Sequence, residues 1–287
     1  MSHFTVMVIG DNPEEQLTPY QENNMGNCPQ EYLSFNDMTE SLKSDWESED
    51  EEIKQECNND FDQYASVYQG YKKQEDGRYG YWENSNAKWD WYSLGGRWSG
   101  YFKMKPGAEG STGEPGLLTP PAQAGYADAA LKSEIDFAAM MDEASKAAGE
   151  KWDLVHSIIE GCEPAQSWDH IREQMFPGQI EKARNFYHGQ PAIKALSEWN
   201  SKNNQKLFGS NPEDFKCTRD EYCLDAARAS FVPFSLIKDG KWYQKGEMGW
   251  WGMSSDNMSE AKWTAQVARM IDELPDNTLI SLYDCHI

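Results

Sequence analysis

HFTVMVI, residues 3–9, is a short apolar run stopped by Gly10-Asp11-Asn12-Pro13, and it reads as a strand followed by a turn. Far along the chain, TLISLY, residues 278–283, follows the stop Pro275-Asp276-Asn277 and reads as a closing strand. The ends of a domain often lie close together, so these two strands are expected side by side in one sheet. Between them the pattern is not an alternation of strand and helix. Strand-like segments stand at both ends and helical ones in the middle. This predicts an α+β fold: a mixed or antiparallel sheet including both terminal strands, with a central helical insertion.

Working outward, residues 14–60 are polar and increasingly acidic. Asp45, Glu47, Glu49, Asp50, Glu51 and Glu52 place six carboxylates in eight positions, the mark of an exposed helix or a mobile segment. YGYWENSNAKWDWYSLGGRWSGYFK, residues 79–103, holds Trp82, Trp89, Trp91 and Trp98 among tyrosines. It reads as two or three strands around turns at Asn84-Ser85-Asn86 and Gly95-Gly96. Trp89 and Trp91 alternate about Asp90, which predicts that they share a face. Residues 104–127 are rich in Gly and Pro and read as a long loop and the best internal boundary.

The signal then turns helical. Residues 128–148 are Ala-rich, and Trp152, Val155, Ile158 and Ile159 recur at helical spacing. Ser167 is a candidate N-cap, Pro191 suits a first turn, and Thr218-x-x-Glu221 is a capping box. Lys238-Asp239-Gly240 between two strand-like runs signals a hairpin. Asn257-x-x-Glu260 is read as the cap of a helix whose apolar stripe is Trp263, Val267, Ile271 and Leu274. Four segments follow: 1–103, the Gly/Pro loop 104–127, the helical region 128–230, and 231–287 returning to the first sheet.

Composition narrows the function. The net charge of −22, from 48 acidic against 26 basic residues, repels nucleic acid and attracts basic surfaces. Direct nucleic-acid binding is disfavoured, because phosphate contacts need a basic footprint. No apolar run approaches the length of a membrane span, and residues 4–9 are too short for a signal peptide, so a cytoplasmic chain with no membrane partner is expected. The six cysteines form no CxxC pair and read as free thiols, with no cofactor implied.

Chemistry-bearing constellations are few. His3, Asp284, Cys285 and His286 would converge if the terminal strands pair, and all are competent zinc ligands. Adjacent strand residues point to opposite faces, however, so Cys285 and His286 do not share a site, and no metal is expected. Gly95-Gly96-Arg97 reads as a glycine-rich hairpin whose Arg97 stacks on a neighbouring tryptophan. Glu247, among Trp250 and Trp251, is the best catalytic carboxylate, since desolvating tryptophans raise a carboxyl's pKa.

Four strings carry a further signal: MSHFTV at 1–6, NAKWDWY and GGRWSG within 86–100, KGEMGWWG at 245–252, and DCHI at 284–287. Together they resemble a family of proteins from tailed phages and prophages, which implies a phage product acting in the host cytoplasm. Joined to the acidity, the resemblance implies an anti-defence protein, similar in size and character to the Gabija anti-defence type. Its expected role is to bind a host defence nuclease complex and block access to DNA, and its expected state is a homo-oligomer. The candidate partner-binding residues are Asp45, Glu47, Glu49, Asp50, Glu51, Glu52, Trp89, Trp91, Arg97, Trp250 and Trp251. The alternative is an enzyme or small-molecule-binding protein with a Trp-lined pocket around Glu247, a nucleotide sponge included.

Overall fold

The computed structural model describes residues 2–248 and 254–287. Its strands are β1 (His3–Ile9), β2 (Ser34–Asp37), β3 (Lys72–Lys73), β4 (Tyr79–Glu83), β5 (Trp91–Leu94), β6 (Phe102–Lys103), β7 (Tyr126–Ala127), β8 (Ala129–Leu131), β9 (Ser235–Lys238), β10 (Lys241–Gln244), β11 (Gly246–Met248), β12 (Ser254–Asp256) and β13 (Leu279–His286). The α-helices are α1 (Pro13–Leu17), α2 (Thr39–Ser48), α3 (Glu51–Glu56), α4 (Phe61–Gln63), α5 (Phe137–Ile158), α6 (Trp168–His170), α7 (Ile180–Gly189), α8 (Pro191–Lys202), α9 (Arg219–Ala229) and α10 (Glu260–Asp272).

The two terminal strands are neighbours at the centre of the main sheet. Its order is β10-β9-β1-β13-β5, with β8 also paired to β13. β1 runs antiparallel to β13, with His3 opposite His286 and Ile9 opposite Ile280, and parallel to β9. The sheet is therefore mixed and the fold α+β. β13 continues to His286, three residues past the apolar run, because β1 and β5 supply partners there.

Strand alternation assigns two cores. On one face Met7, Ile9, Leu236, Ile280 and Leu282 pack against Trp263, Val267 and Ile271 of α10, with Phe102, Ile135 and Phe231. On the other, Phe4, Val6, Val8, Ile237, Tyr283 and Cys285 pack against Leu17 of α1 and Trp89. Two lobes carry their own smaller cores. The order β2-β4-β3 with α2 and α3 forms one, around Leu42, Tyr64 and Tyr79. The far end of α5 with α8 and the segment leading into α9 forms the other, around Val155, Leu196, Leu207 and Phe215.

Two local readings need correction. Ala129–Leu131 is a strand on β13, and α5 starts only at Phe137, where the Asp136 carboxylate caps the Ala139 amide. The cap of α10 is Ser259, not Asn257. Residues 104–127 are largely irregular but are clasped to the body rather than free: Met104 bridges Ile135, Ser111 bridges Ala129 and Pro115 bridges Gly96.

Candidate functional site

The acidic run is part of a folded surface. α2 carries Asp45 and Glu47, Glu49 and Asp50 form the joint, and Glu51 and Glu52 open α3. Trp46 and Ile53 anchor the two helices inward on the lobe's core, with Trp46 5.0 Å from the Tyr64 ring. Anchoring one helix face turns the other to solvent. Asp45, Glu47, Asp50, Glu51 and Glu52 are exposed, and among the described residues no basic side chain forms an ion pair with them. Half-buried Glu49 instead accepts a hydrogen bond from the Tyr64 hydroxyl at 3.1 Å.

Three of the lobe's five basic side chains are paired elsewhere, while Lys54 donates to the backbone carbonyl of Glu47 within the run at 3.2 Å. Lys43 pairs with Glu40, Lys73 with Asp62, and Arg78 with Asp37 and Asp76. The Lys73 ammonium and Tyr79 hydroxyl hold the Asp62 carboxyl below its ordinary range, and the Thr39 hydroxyl and amide do the same for Asp37. Residues 31–83 contain 15 acidic side chains and 5 basic ones. The same lobe exposes Val67, Tyr68, Tyr81 and Trp82, so it presents both strong charge and large apolar side chains.

The aromatic block does not form one face. β4, β5 and β6 belong to three different sheets. Trp89 is 4% exposed and donates its indole N–H to the Leu17 carbonyl at 3.1 Å, whereas Trp91 is 51% exposed. The expected shared face is overturned because Trp89 bridges Gln21 and the strand begins only at Trp91, which breaks the alternation at Asp90. Arg97 is exposed, and its backbone rather than its guanidinium is what the fold fixes: its amide donates to Asp284 at 2.9 Å. Trp250 and Trp251 lie outside the described residues.

Around that loop sit two buried carboxylates that sequence reading did not connect to it. Asp284, 1% exposed, accepts from Arg97, and Asp128 accepts from the amides of Gly100 and Gly113 at 2.6 and 2.9 Å. Gly95 and Gly96 have φ of 68° and 50°, and a Cβ on either would collide with Asp128 or Asp284 respectively.

Asp284 also holds His3, whose Nδ1 lies 2.7 Å from its carboxylate. His286 stands 4.9 Å from His3, ring to ring, with its own Nδ1 2.6 Å from Asp90. The pairing of the ends brings His3, Asp284 and His286 to one face, and Cys285 to the other, as alternation requires. Asp90 was missed, since only the β5–β13 register places it there. Burial, with the Asp284 charge adding, pushes the Cys285 thiol well up. Among the described residues no group of three or more His, Cys, Asp or Glu side chains is arranged to hold a metal ion.

Glu247 lies apart from the histidines. Its side chain is 57% exposed, paired with Lys88 at 3.1 Å and bonded to Gln244 at 2.5 Å. The adjoining recess, lined by Phe4, Lys88, Phe234 and Trp242, encloses about 40 Å³. All six cysteines are free. Comparison with family models, with curated proteins and with solved structures returned no match.

Proposed function

We propose that this chain is a phage-encoded inhibitor that binds a host defence nuclease complex of the Gabija type in the host cytoplasm and blocks its access to DNA. The observation that carries the reading is the outward-facing acidic surface of α2 and α3, ordered by its own core and flanked by exposed aromatics. A basic DNA cleft is the complementary surface: carboxylates steer the encounter, and aromatics such as Tyr68 and Trp82 anchor it. The −22 charge disfavours the same surface as a ligand for nucleic acid itself.

The test is binding of the purified chain to the purified nuclease complex, with a DNA duplex as competitor. Duplex and chain should exclude one another. Association should slow as salt rises, because the screening length falls from about 10 Å at 0.1 M to about 3 Å at 1 M. Reversing the exposed Glu47, Asp50, Glu51 and Glu52 to Lys should slow association about tenfold or more while leaving the melting temperature nearly unchanged. Undiminished binding by that variant would remove the acidic surface from the mechanism. The small-molecule alternative draws less support, since about 40 Å³ beside an exposed, ion-paired Glu247 is room for little more than a water. Turnover of a nucleotide that is lost on Glu247→Gln would restore it.

A further inference from the structure

His3 and His286 face each other directly across the central pair of strands. Ser2 and Ile287 exchange both backbone hydrogen bonds, at 3.1 and 3.0 Å, so the next pair along, His3 with His286, is a non-hydrogen-bonded pair. Side chains approach most closely in such pairs. The two ring centres are 4.9 Å apart, with an interplanar angle of 71°. The imidazole side chains are 15% and 13% exposed, so each is mostly covered yet still reached by solvent. Trp91, opposite His286 on β5, stands 6.1 Å from the His3 ring and walls one side.

Both rings are fixed at the same nitrogen. Nδ1 of His3 lies on Asp284, and Nδ1 of His286 on Asp90. The carboxylates are themselves held, Asp284 by the Arg97 amide and Asp90 by the Asn24 side-chain amide at 3.2 Å. A carboxylate accepts, so the ring proton sits at Nδ1 and the Nε2 lone pair is left as the donor. Among the described residues neither Nε2 has a hydrogen-bond partner. A carboxylate at one ring nitrogen, with the other left bare, is how metal-ligating histidines are held. The spacing agrees. A metal–nitrogen distance of about 2.0–2.1 Å puts each ring centre about 3.2 Å from the ion, and a tetrahedral angle then sets two centres roughly 5 Å apart.

We infer that Nε2 of His3 and Nε2 of His286 together hold one divalent transition-metal ion, with water in its remaining positions. Imidazole donors select Zn²⁺, Ni²⁺ or Cu²⁺ over Mg²⁺ and Ca²⁺, which take oxygen. Two protein donors are fewer than a closed structural site uses, so the ion stays exchangeable. Cys285 is not a ligand, since it packs in the opposite core. The alternation that separates Cys285 from the site, and with it the expectation of a metal, is also what sets the two histidines on one face. Because the donors come from β1 and β13, the ion crosslinks the two strands and favours the folded chain.

Calorimetric titration of Zn²⁺, and separately of Mg²⁺, into the tag-free chain tests this, with half-exposed Cys162 and Cys217 changed to Ser so that thiols do not compete. One Zn²⁺ should bind per chain and Mg²⁺ should not. His3→Gln and His286→Gln should each raise the dissociation constant at least about tenfold. Asp90→Asn keeps both donors and loosens the hold on one ring, and should raise it about 10–100-fold. His170→Gln, exposed on α6, should change nothing. Saturating Zn²⁺ should raise the melting temperature of the parent and of neither histidine variant. Should one histidine variant misfold, the other and Asp90→Asn still decide the matter. Absence of saturable Zn²⁺ binding, or binding that survives both histidine changes, overturns the inference and leaves the pair as a ring contact that packs the strand ends.

Discussion

Trp89 and Trp91 stand two positions apart and have unlike roles. Trp89→Ala removes a core indole and the hydrogen bond it donates to the Leu17 carbonyl, so it should cost about 3–5 kcal/mol in urea unfolding. Trp91→Ala truncates a half-exposed ring and should change stability by less than about 1 kcal/mol. Asp284→Ala should cost about 1–3 kcal/mol, because the Arg97 amide and the His3 ring lose a buried acceptor. A maleimide probe offers a residue-by-residue check on the thiols. Half-exposed Cys162 and Cys217 should label in the native protein, while Cys285, buried and with its thiol pushed up, should label only on unfolding.

At the scale of elements, the acidic lobe should be the part most sensitive to acid. Asp37, Asp62 and Asp76 are held below the ordinary carboxyl range by Thr39, by Lys73 with Tyr79, and by Arg78. A carboxyl with a depressed folded-state pKa stabilises fully above its unfolded value of about 3.9, and loses that contribution as pH falls towards the folded value. Amide exchange across residues 34–83 should therefore accelerate between about pH 4 and pH 2 relative to the central sheet. Elements whose cause is local were legible in the sequence. The Thr218–Glu221 capping box opens α9, and Asp239 and Gly240, both at positive φ, turn the β9–β10 hairpin. The stripe Trp263, Val267 and Ile271 faces inward as its spacing predicts. What escaped was set from a distance. Ala129–Leu131 has helical composition but lies on β13, and Asp90 meets His286 only through a register that nothing near it in sequence specifies. The histidine site was half legible for that reason: His3, Asp284 and His286 follow from pairing the ends, whereas the fourth member and the carboxylates under Gly95 and Gly96 do not.

For the whole molecule, charge and apolar surface are distributed differently. The acidic lobe concentrates carboxylates, whereas exposed large apolar side chains occur on both lobes, Val67 and Tyr68 on the acidic one and Ile180 and Phe186 on the helical one. Binding through the acidic lobe should therefore weaken as salt rises, whereas a contact made by the apolar side chains should not. The central sheet has a different consequence, in time rather than affinity. β1 and β13 face each other although about 270 residues separate Ile9 from Ile280, while the two lobes close mainly over nearer neighbours. Bringing such distant segments together carries the largest loop-closure entropy in the chain, and non-local pairing is the slow class of folding event. Refolding from denaturant should accordingly recover helical circular dichroism first and bury Trp89 later, with the half-formed species exposing the bare edges of an unzipped sheet. Dilution and low temperature, which slow the meeting of such edges between chains, are then the conditions under which refolding yield should be highest.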